Sequence, residues 1–388
     1  MKILIVRMYA DCLNITNYNC QEVGLAKALI RKGNICDIVL YTDKETSYEE
    51  DLFFDDEKSK IHIYYLKAKN ILKNCFFERK LYDIVKQYDR VQTAEYDQIA
   101  NVKLRKILGD KLVIYHGPYK SKYTKGYNLK CIFSDFYYLF HSEYKKTKCL
   151  AKSELAADFL RKKGFNNISI VGVGLDNDRF KNEKEKYNKL IEKIKKQRKK
   201  DNSKYLLYIG KIEDRRNILM IIEIFSEIKK EKNVKLILVG KGEKKYKAKC
   251  WNLAKKRRVL DDIIYIEVLP QNELIDLYKI ADVFLLPTKY EIFGMVLLEA
   301  LYFELPVVTT LNGGSSTLKN CLICNYDKNN WINIILKLLY DNDFNKKFSN
   351  KLKNVNKEEY MWNGIAEKIY SAYIEGWWRK NIGKGLYK

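Results

Sequence analysis

Apolar and polar positions follow two rhythms along this chain, and the rhythms take turns. Short, nearly unbroken apolar runs occur at Lys2–Met8, Ile35–Thr42, Ile61–Leu66, Arg90–Thr93, Lys111–His116 and Ile168–Val173. Runs of this length with no polar face predict strands buried on both sides, as in a parallel sheet. Between them lie stretches such as Gln21–Lys32 and Glu154–Lys163, whose apolar residues recur at helical spacing and predict amphipathic helices. Strand and helix alternating in this way imply right-handed crossovers and an α/β fold.

The alternation breaks once. Residues 181–200 (KNEKEKYNKLIEKIKKQRKK) hold ten Lys/Arg and three Glu and read as a solvated basic helix or linker. Strands then resume at Tyr205–Ile209, Val234–Val239, Ile263–Val268, Val283–Leu286 and Val307–Thr309, with helices at Ile218–Lys230, Lys244–Lys256, Glu273–Ile280 and Phe293–Tyr302. The expected organisation is two Rossmann-like, doubly wound parallel-sheet domains, 1–180 and 204–360, joined by a basic linker at 181–203. A C-terminal helix within 361–388 is expected to pack back on the first domain. A length of 388 residues agrees with two domains of about 150 residues each.

Composition narrows the class. At 47% hydrophobic residues the chain has a core to bury, which excludes disorder, and no apolar run reaches the length of a membrane span. The first residues, Met1–Val6, lack the pattern of a signal peptide, so a cytoplasmic location is expected, with peripheral attachment to the inner membrane face as its extension. Nine Cys, from Cys12 to Cys324, show no disulfide framework and fit reduced thiols. Cys321 and Cys324 form a CxxC with no second pair or nearby His, so buried structural thiols are expected there and no metal.

The formal net charge is +24. Part of it belongs to a bias toward Lys, Asn, Ile and Tyr along the whole chain; the remainder favours anionic company: nucleotide phosphates, acidic lipid or nucleic acid. No helix-turn-helix, zinc-finger or RNA-recognition signature is present, so a nucleic-acid partner is not expected. Two segments combine aromatic and basic residues: Phe133–Lys148 (FSDFYYLFHSEYKKTK) and Gly376-Trp377-Trp378-Arg379-Lys380. Each reads either as packing on the core or as contact with an anionic membrane surface.

Ligands of open parallel sheets bind where strands end and loops lead into helices. All four prolines, Pro118, Pro270, Pro287 and Pro306, lie at edges of predicted strands, and three of them follow a strand's end. In residues 281–300 (ADVFLLPTKYEIFGMVLLEA) a strand stops at Pro287, a short loop carries Glu291, and a helix is expected from Phe293-Gly294 with Glu299 two turns along. A helix extending back to Glu291 would place both carboxylates on one face, about 12 Å apart. That is near the span from hexose to ribose in a sugar nucleotide, and a helix N-terminus between them suits a diphosphate. In Gly210-Lys211-Ile212-Glu213-Asp214-Arg215-Arg216-Asn217, Lys211 and Arg216 are placed to reach phosphates. Gly240 and Gly242, and Gly313-Gly314, allow close backbone approach. In the first half, His116 ends a strand and is the candidate acid/base group; His62 and His141 read as structural.

These residues resemble the retaining family 4 glycosyltransferases of the GT-B fold (glycosyl transferases group 1), in which two Rossmann-like domains face each other across a cleft. The resemblance is carried by Glu291-x7-Glu299 with Ala281–Phe284 and Pro287, by Pro306-Val307-Val308 with Gly313-Gly314, by Val171–Asp176 with Phe180, and by Gly210-Lys211 with Arg216-Asn217. It implies transfer of a hexose-type sugar from a nucleotide-diphosphate donor, a UDP-sugar favoured, to a hydroxyl of a glycan, glycolipid or cell-surface polysaccharide precursor, with retention and without a metal or other cofactor. It places Glu291 on the donor sugar hydroxyls, Glu299 on the ribose and Lys211 and Arg216 on the diphosphate. Phe293 and Gly294 lend backbone amides, Val268 and Ile292 lie at the donor, and His116 faces the reacting sugar. The implied chemistry is same-face attack by the acceptor, its proton passing to the leaving phosphate.

Three positions depart from the family pattern. Asn19-Cys20-Gln21-Glu22 stands where a Gly-Gly turn is usual, with Gln21 as a replacement amide donor; the usual Arg and Lys are exchanged as Lys211 and Arg216; and Glu304 replaces a common Gly. A sugar-nucleotide epimerase or a phosphorylase on the same fold is the alternative. The long match around Glu291 and Glu299 argues against the first, and the lack of a lysine setting for a pyridoxal cofactor against the second.

Overall fold

In the computed structural model, which describes residues 1–15, 20–176 and 189–375, the chain divides into two units. One comprises Met1–Asp176 with Glu358–Lys388, the other Asn177–Lys357. The strands of the first are β1 (Lys2–Val6), β2 (Ile35–Tyr41), β3 (Tyr48–Phe54), β4 (Ser59–Leu66), β5 (Ala68–Ile71), β6 (Asn74–Phe77), β7 (Arg90–Ala94), β8 (Leu112–His116), β9 (Lys148–Ala151) and β10 (Ile168–Ile170). Eight of them form one sheet in the order β10-β9-β8-β7-β1-β2-β4-β3, and β5 and β6 form a separate hairpin. Ile3 to Val6 of β1 are buried on both faces, which is why that run is continuously apolar. The chain winds outward from β1 in both directions, so loops at the carboxyl ends of β1 and β7 diverge and leave room for a ligand.

Two strands of this sheet are absent from the apolar pattern for different reasons. β3 (YEEDLFF) pairs antiparallel with β4 at the sheet edge, where one half-buried face is enough. Its Glu49 and Asp51 pair with Lys80, Lys60 and His62, and charge on an edge discourages pairing with another chain. β9 has only four residues and starts at the basic end of the aromatic segment, too short for a periodicity signal. The helix Trp362–Ile374 belongs to this first unit. It is tied there by Arg90, whose guanidinium donates to the Tyr373 carbonyl at 2.9 and 2.6 Å, and by the Tyr373 hydroxyl, which donates to Gln92 at 2.7 Å. Trp377, Trp378, Arg379 and Lys380 lie outside the described residues, as do Asn19 and Phe180.

The second unit holds β11 (Lys204–Ile209), β12 (Val234–Val239), β13 (Ile263–Ile266), β14 (Val283–Leu286), β15 (Val307–Thr309) and β16 (Cys321–Ile323). All pair in parallel, in the order β13-β12-β11-β14-β15-β16. The order reverses between β11 and β14, which is where a ligand site is expected in such a sheet. Of the two readings of the basic stretch the structure has the helix: Lys189 to Asp201 form a helix of the second unit, and it is packed on that unit rather than solvated on all sides. Ile191 and Ile194 are buried, and Lys195 and Arg198 pair with Asp276 and Asp282. Among the described residues no helix is long and apolar enough to cross a membrane.

Candidate active site

At the carboxyl end of β11 the chain turns at Gly210, and the next strand turns beside it at Gly240. A Cβ on Gly240 would lie 2.0 Å from the Gly210 carbonyl oxygen, so the two loops are in backbone contact. The Tyr208 hydroxyl donates to the Lys211 carbonyl at 2.7 Å, leaving the Lys211 side chain exposed. The short helical turn Asp214–Arg216 follows, and its two arginines turn toward the loop after β14.

That loop, Pro287 to Gly294, is braced from three sides. The Lys289 amide donates to the Arg215 carbonyl at 2.8 Å. The hydroxyls of Thr310 and Tyr326 donate to the Thr288 carbonyl at 2.6 and 2.9 Å. The Gly313 amide donates to the Glu291 carbonyl at 3.1 Å. Asn312 and Ser315 hold Gly313 in place: the Asn312 amide donates to Ser315 Oγ at 2.9 Å, and the Ser315 amide donates to Asn312 Oδ1 at 3.1 Å. The result is a fixed carboxylate. Arg216 Nη1 is hydrogen-bonded to Glu291 Oε2, Arg215 Nη1 lies 3.4 Å from the same oxygen, and Arg215 also donates to the Tyr290 carbonyl at 2.7 Å. Glu213 accepts from Arg215 at 2.8 Å. Arg216 Nε is buried with no hydrogen-bond partner among the described residues and lies 3.9 Å from Glu213 Oε1.

The geometry expected for the two carboxylates is corrected. The helix runs Met295–Tyr302, with Gly294 as its N-cap at φ 85°. A left-handed residue there ends any continuation toward Glu291, so Glu291 sits in the loop and shares no helical face with Glu299. Glu299 is 3% exposed and accepts from the Tyr278 hydroxyl at 2.6 Å: an internal, partnered carboxylate. Phe293 is buried, whereas Ile292 and Val268 are exposed. Sequence reasoning missed Arg215, Glu213, Thr288, Asn312 and Ser315. Of these, only Asn312-Gly313-Gly314-Ser315 carries a turn signature that points to it.

In the first unit, Gln21 opens the helix Gln21–Arg31. With Arg7, Glu22, Thr93 and Lys152 it lines a cavity of about 40 Å³. His116 ends β8 as expected, but its side chain does not face outward: it is fully buried, stacked on Phe159 and edge-on to Tyr96. Its Nδ1 lies 2.6 Å from Glu95 Oε2. Nδ1 also lies 3.4 Å from the Tyr96 amide nitrogen, and Nε2 has no hydrogen-bond partner among the described residues. Glu95, one residue past β7 at φ 56°, also accepts from the Gly117 amide at 3.1 Å and the Tyr9 hydroxyl at 3.2 Å. Beside it, Asp97 pairs with Lys130 at 2.6 Å. Asp97, Lys130, Lys73, Asn74 and Tyr127 line a cavity of about 380 Å³.

Burial alone would raise the Glu95 carboxyl, but Lys152, His116 and the Gly117 amide outweigh it and hold it at about 2. A carboxyl lower in the folded than in the unfolded chain adds stability above its unfolded value near 4.5, and that stability is lost as pH falls toward 2. Glu95→Gln is therefore expected to lower unfolding stability at pH 7 by about 3 kcal/mol, measured by urea denaturation, with the gap to the parent closing as pH approaches 2. A gap that does not change with pH would refute this account. Glu95, Asp97 and His116 lie close enough together to hold a metal ion, yet Lys152 and Lys130 already neutralise the two carboxylates, which opposes a divalent cation. Burial likewise raises the thiols of Cys321 and Cys324 to about 12 and 11, so both stay protonated at neutral pH.

Residues 189–355 match the family model described as glycosyl transferases group 1. An uncharacterized glycosyltransferase of Methanocaldococcus jannaschii is 29% identical over 182 residues, 45% of each chain. A lipopolysaccharide 1,2-N-acetylglucosaminetransferase of Salmonella typhimurium is 27% identical over 195 residues, 46% of this chain and 50% of that one. The chain spans about half the length of the curated relatives it matches. The solved structure of the Anabaena protein HepE in complex with UDP and glucose covers 96% of this chain and 98% of its own, with TM-score 0.66 and 14% identity. The shared fold is GT-B.

Proposed function

We propose that the chain, whose residues 189–355 match the glycosyl transferases group 1 model, transfers a hexose-type sugar from a nucleotide-diphosphate donor to an acceptor hydroxyl. The observation that carries this reading is the convergence of Arg215 and Arg216 on Glu291 in a braced loop at the strand-order reversal. Glu291 accepts from donor-sugar hydroxyls. Lys211 and Arg216, with the amides of Phe293 and Gly294 at the helix start, face the diphosphate, whose bridging oxygen gains charge as the glycosidic bond breaks. Fixed cations and amide donors at that oxygen lower the barrier, in the place where a divalent metal serves other transferases.

In this reading the acceptor oxygen forms its bond to the anomeric carbon on the face the diphosphate leaves, and the acceptor proton passes to the departing phosphate oxygen, so configuration is retained. Exposed Val268 and Ile292 flank the base. Glu299 reaches a ribose only if Tyr278 releases it. His116, enclosed by Glu95, Tyr96 and Phe159, acts by holding the end of β8. A UDP-sugar is the favoured donor, since the HepE structure holds UDP and glucose. A cell-surface glycan or glycolipid precursor at the cytoplasmic face of the membrane is the favoured acceptor, in line with the lipopolysaccharide transferase among the relatives.

A melting screen with UDP-, GDP- and ADP-sugars tests the donor. A ligand at a hundred times its Kd adds about 2.7 kcal/mol to the native state, so one nucleotide class is expected to raise Tm, and Arg216→Ala to abolish that rise. If no class raises Tm, the reading fails.

A further inference from the structure

We propose that the helix Lys125–Leu139 of the first unit docks the protein on an anionic phospholipid surface. Its apolar face is on the wrong side for a helix of a water-soluble domain. The residues it buries are Cys131, Ser134 and Tyr138, whereas Leu129, Phe133, Phe136 and Phe140 are 56, 68, 64 and 71% exposed, and Ile132 and Leu139 are exposed with them. At 100° per residue these six fall within an arc of about 120°, opposite the buried three. Helices that pack on a core show the reverse order. A continuous aromatic and aliphatic stripe of this size marks a surface that meets something other than water.

Charge selects the occupant. Lys120, Lys122 and Lys125 are exposed at the entry to the helix, and Lys145 and Lys146 follow it. Residues 119–148 contain seven lysines against two carboxylates. One of the two, Asp135, is ion-paired to Lys163 and lies outside the apolar arc. Protein–protein interface cores are depleted in lysine. A stripe of Phe, Leu and Ile flanked by lysines instead suits burial at the level of acyl chains and headgroups, with the ammonium groups reaching anionic phosphates. The inference rests on the first unit alone and is independent of the transferase reading.

Full-length protein is mixed with vesicles of phosphatidylcholine, or of phosphatidylcholine with phosphatidylglycerol, and sedimented. The parent is expected to bind the mixed vesicles and not the neutral ones. Phe133→Ser with Phe136→Ser should weaken binding at least roughly tenfold at unchanged Tm, because both side chains are exposed. Lys120→Glu with Lys122→Glu and Lys125→Glu should erase the preference for anionic lipid. The proposal is overturned if the parent ignores the mixed vesicles or if the double Phe variant binds them as tightly as the parent. It is also overturned if the parent is a dimer that the double Phe variant dissolves without vesicle binding, which would assign the face to a second copy. Failure here leaves the nucleotide-induced rise in Tm untouched, so the two readings fail separately.

Discussion

Glu291→Gln is expected to slow sugar transfer by roughly a hundred- to a thousandfold, the loss seen when one charge-stabilising group is removed from a reacting centre. The variant keeps an acceptor of similar shape but loses the negative charge that Arg215 and Arg216 share. Two consequences separate this from simple damage. Freed of its carboxylate, Arg216 has more to offer a diphosphate, so affinity for the free nucleoside diphosphate should hold or rise while kcat falls. The change in Tm should be a few degrees at most, since the amides and carbonyls that brace the loop belong to the backbone. Steady-state turnover of the donor found in the melting screen, with calorimetric titration of the nucleotide, gives both numbers. Turnover at the parent rate would remove Glu291 from the chemistry, and parallel loss of nucleotide binding would make it a structural residue.

Gly313→Ala is expected to damage stability and activity together. A Cβ at position 313 would lie 1.7 Å from the Ile292 carbonyl oxygen and 2.6 Å from its carbon. Both partners are main chain, so no side chain can swing aside. The Gly313 amide also holds the Glu291 carbonyl, and separating the two segments breaks that bond. Overpacking of this kind with loss of a hydrogen bond costs about 2 to 4 kcal/mol. Urea denaturation should show a shift of that size, and donor turnover should fall by at least the Glu291→Gln factor because the carboxylate moves with its backbone. Parent-like stability would mean that the loop yields freely, and the picture of a braced carboxylate would be wrong.

Several elements were readable from local pattern because their physics is local. β11, β12, β14 and β15 sit where the apolar runs put them, since a strand covered on both faces has no polar positions to spare. The family resemblance at 281–300 pointed to Glu291, and the cations after β11 were visible beside a strand end. Other features escaped for identifiable reasons. Arg215 is one of 73 Lys and Arg, and nothing in its neighbours separates it from a solvated charge. β3 looks like loop because an edge strand tolerates carboxylates. The aromatic segment was conspicuous, but which face of its helix points inward depends on what Tyr138 finds to bond, and that is the Tyr96 carbonyl, 42 residues away.

The amino-acid order on its own determined two sheets that are parallel apart from the edge strand β3, the ends of most of their strands and the charge type of the loops that leave those ends, because burial on both faces and turn chemistry act over a few residues. Tertiary structure alone decided which charges meet. Arg215 and Tyr290 are 75 positions apart, and Glu95 and His116 come together only where β7 and β8 pair. Gly294, left-handed at the start of the helix, leaves Glu291 in the loop among the arginines, while Glu299 lies in the interior. A hydrogen bond between distant loops depends on how the backbone closes, and no periodicity along the chain records that closure.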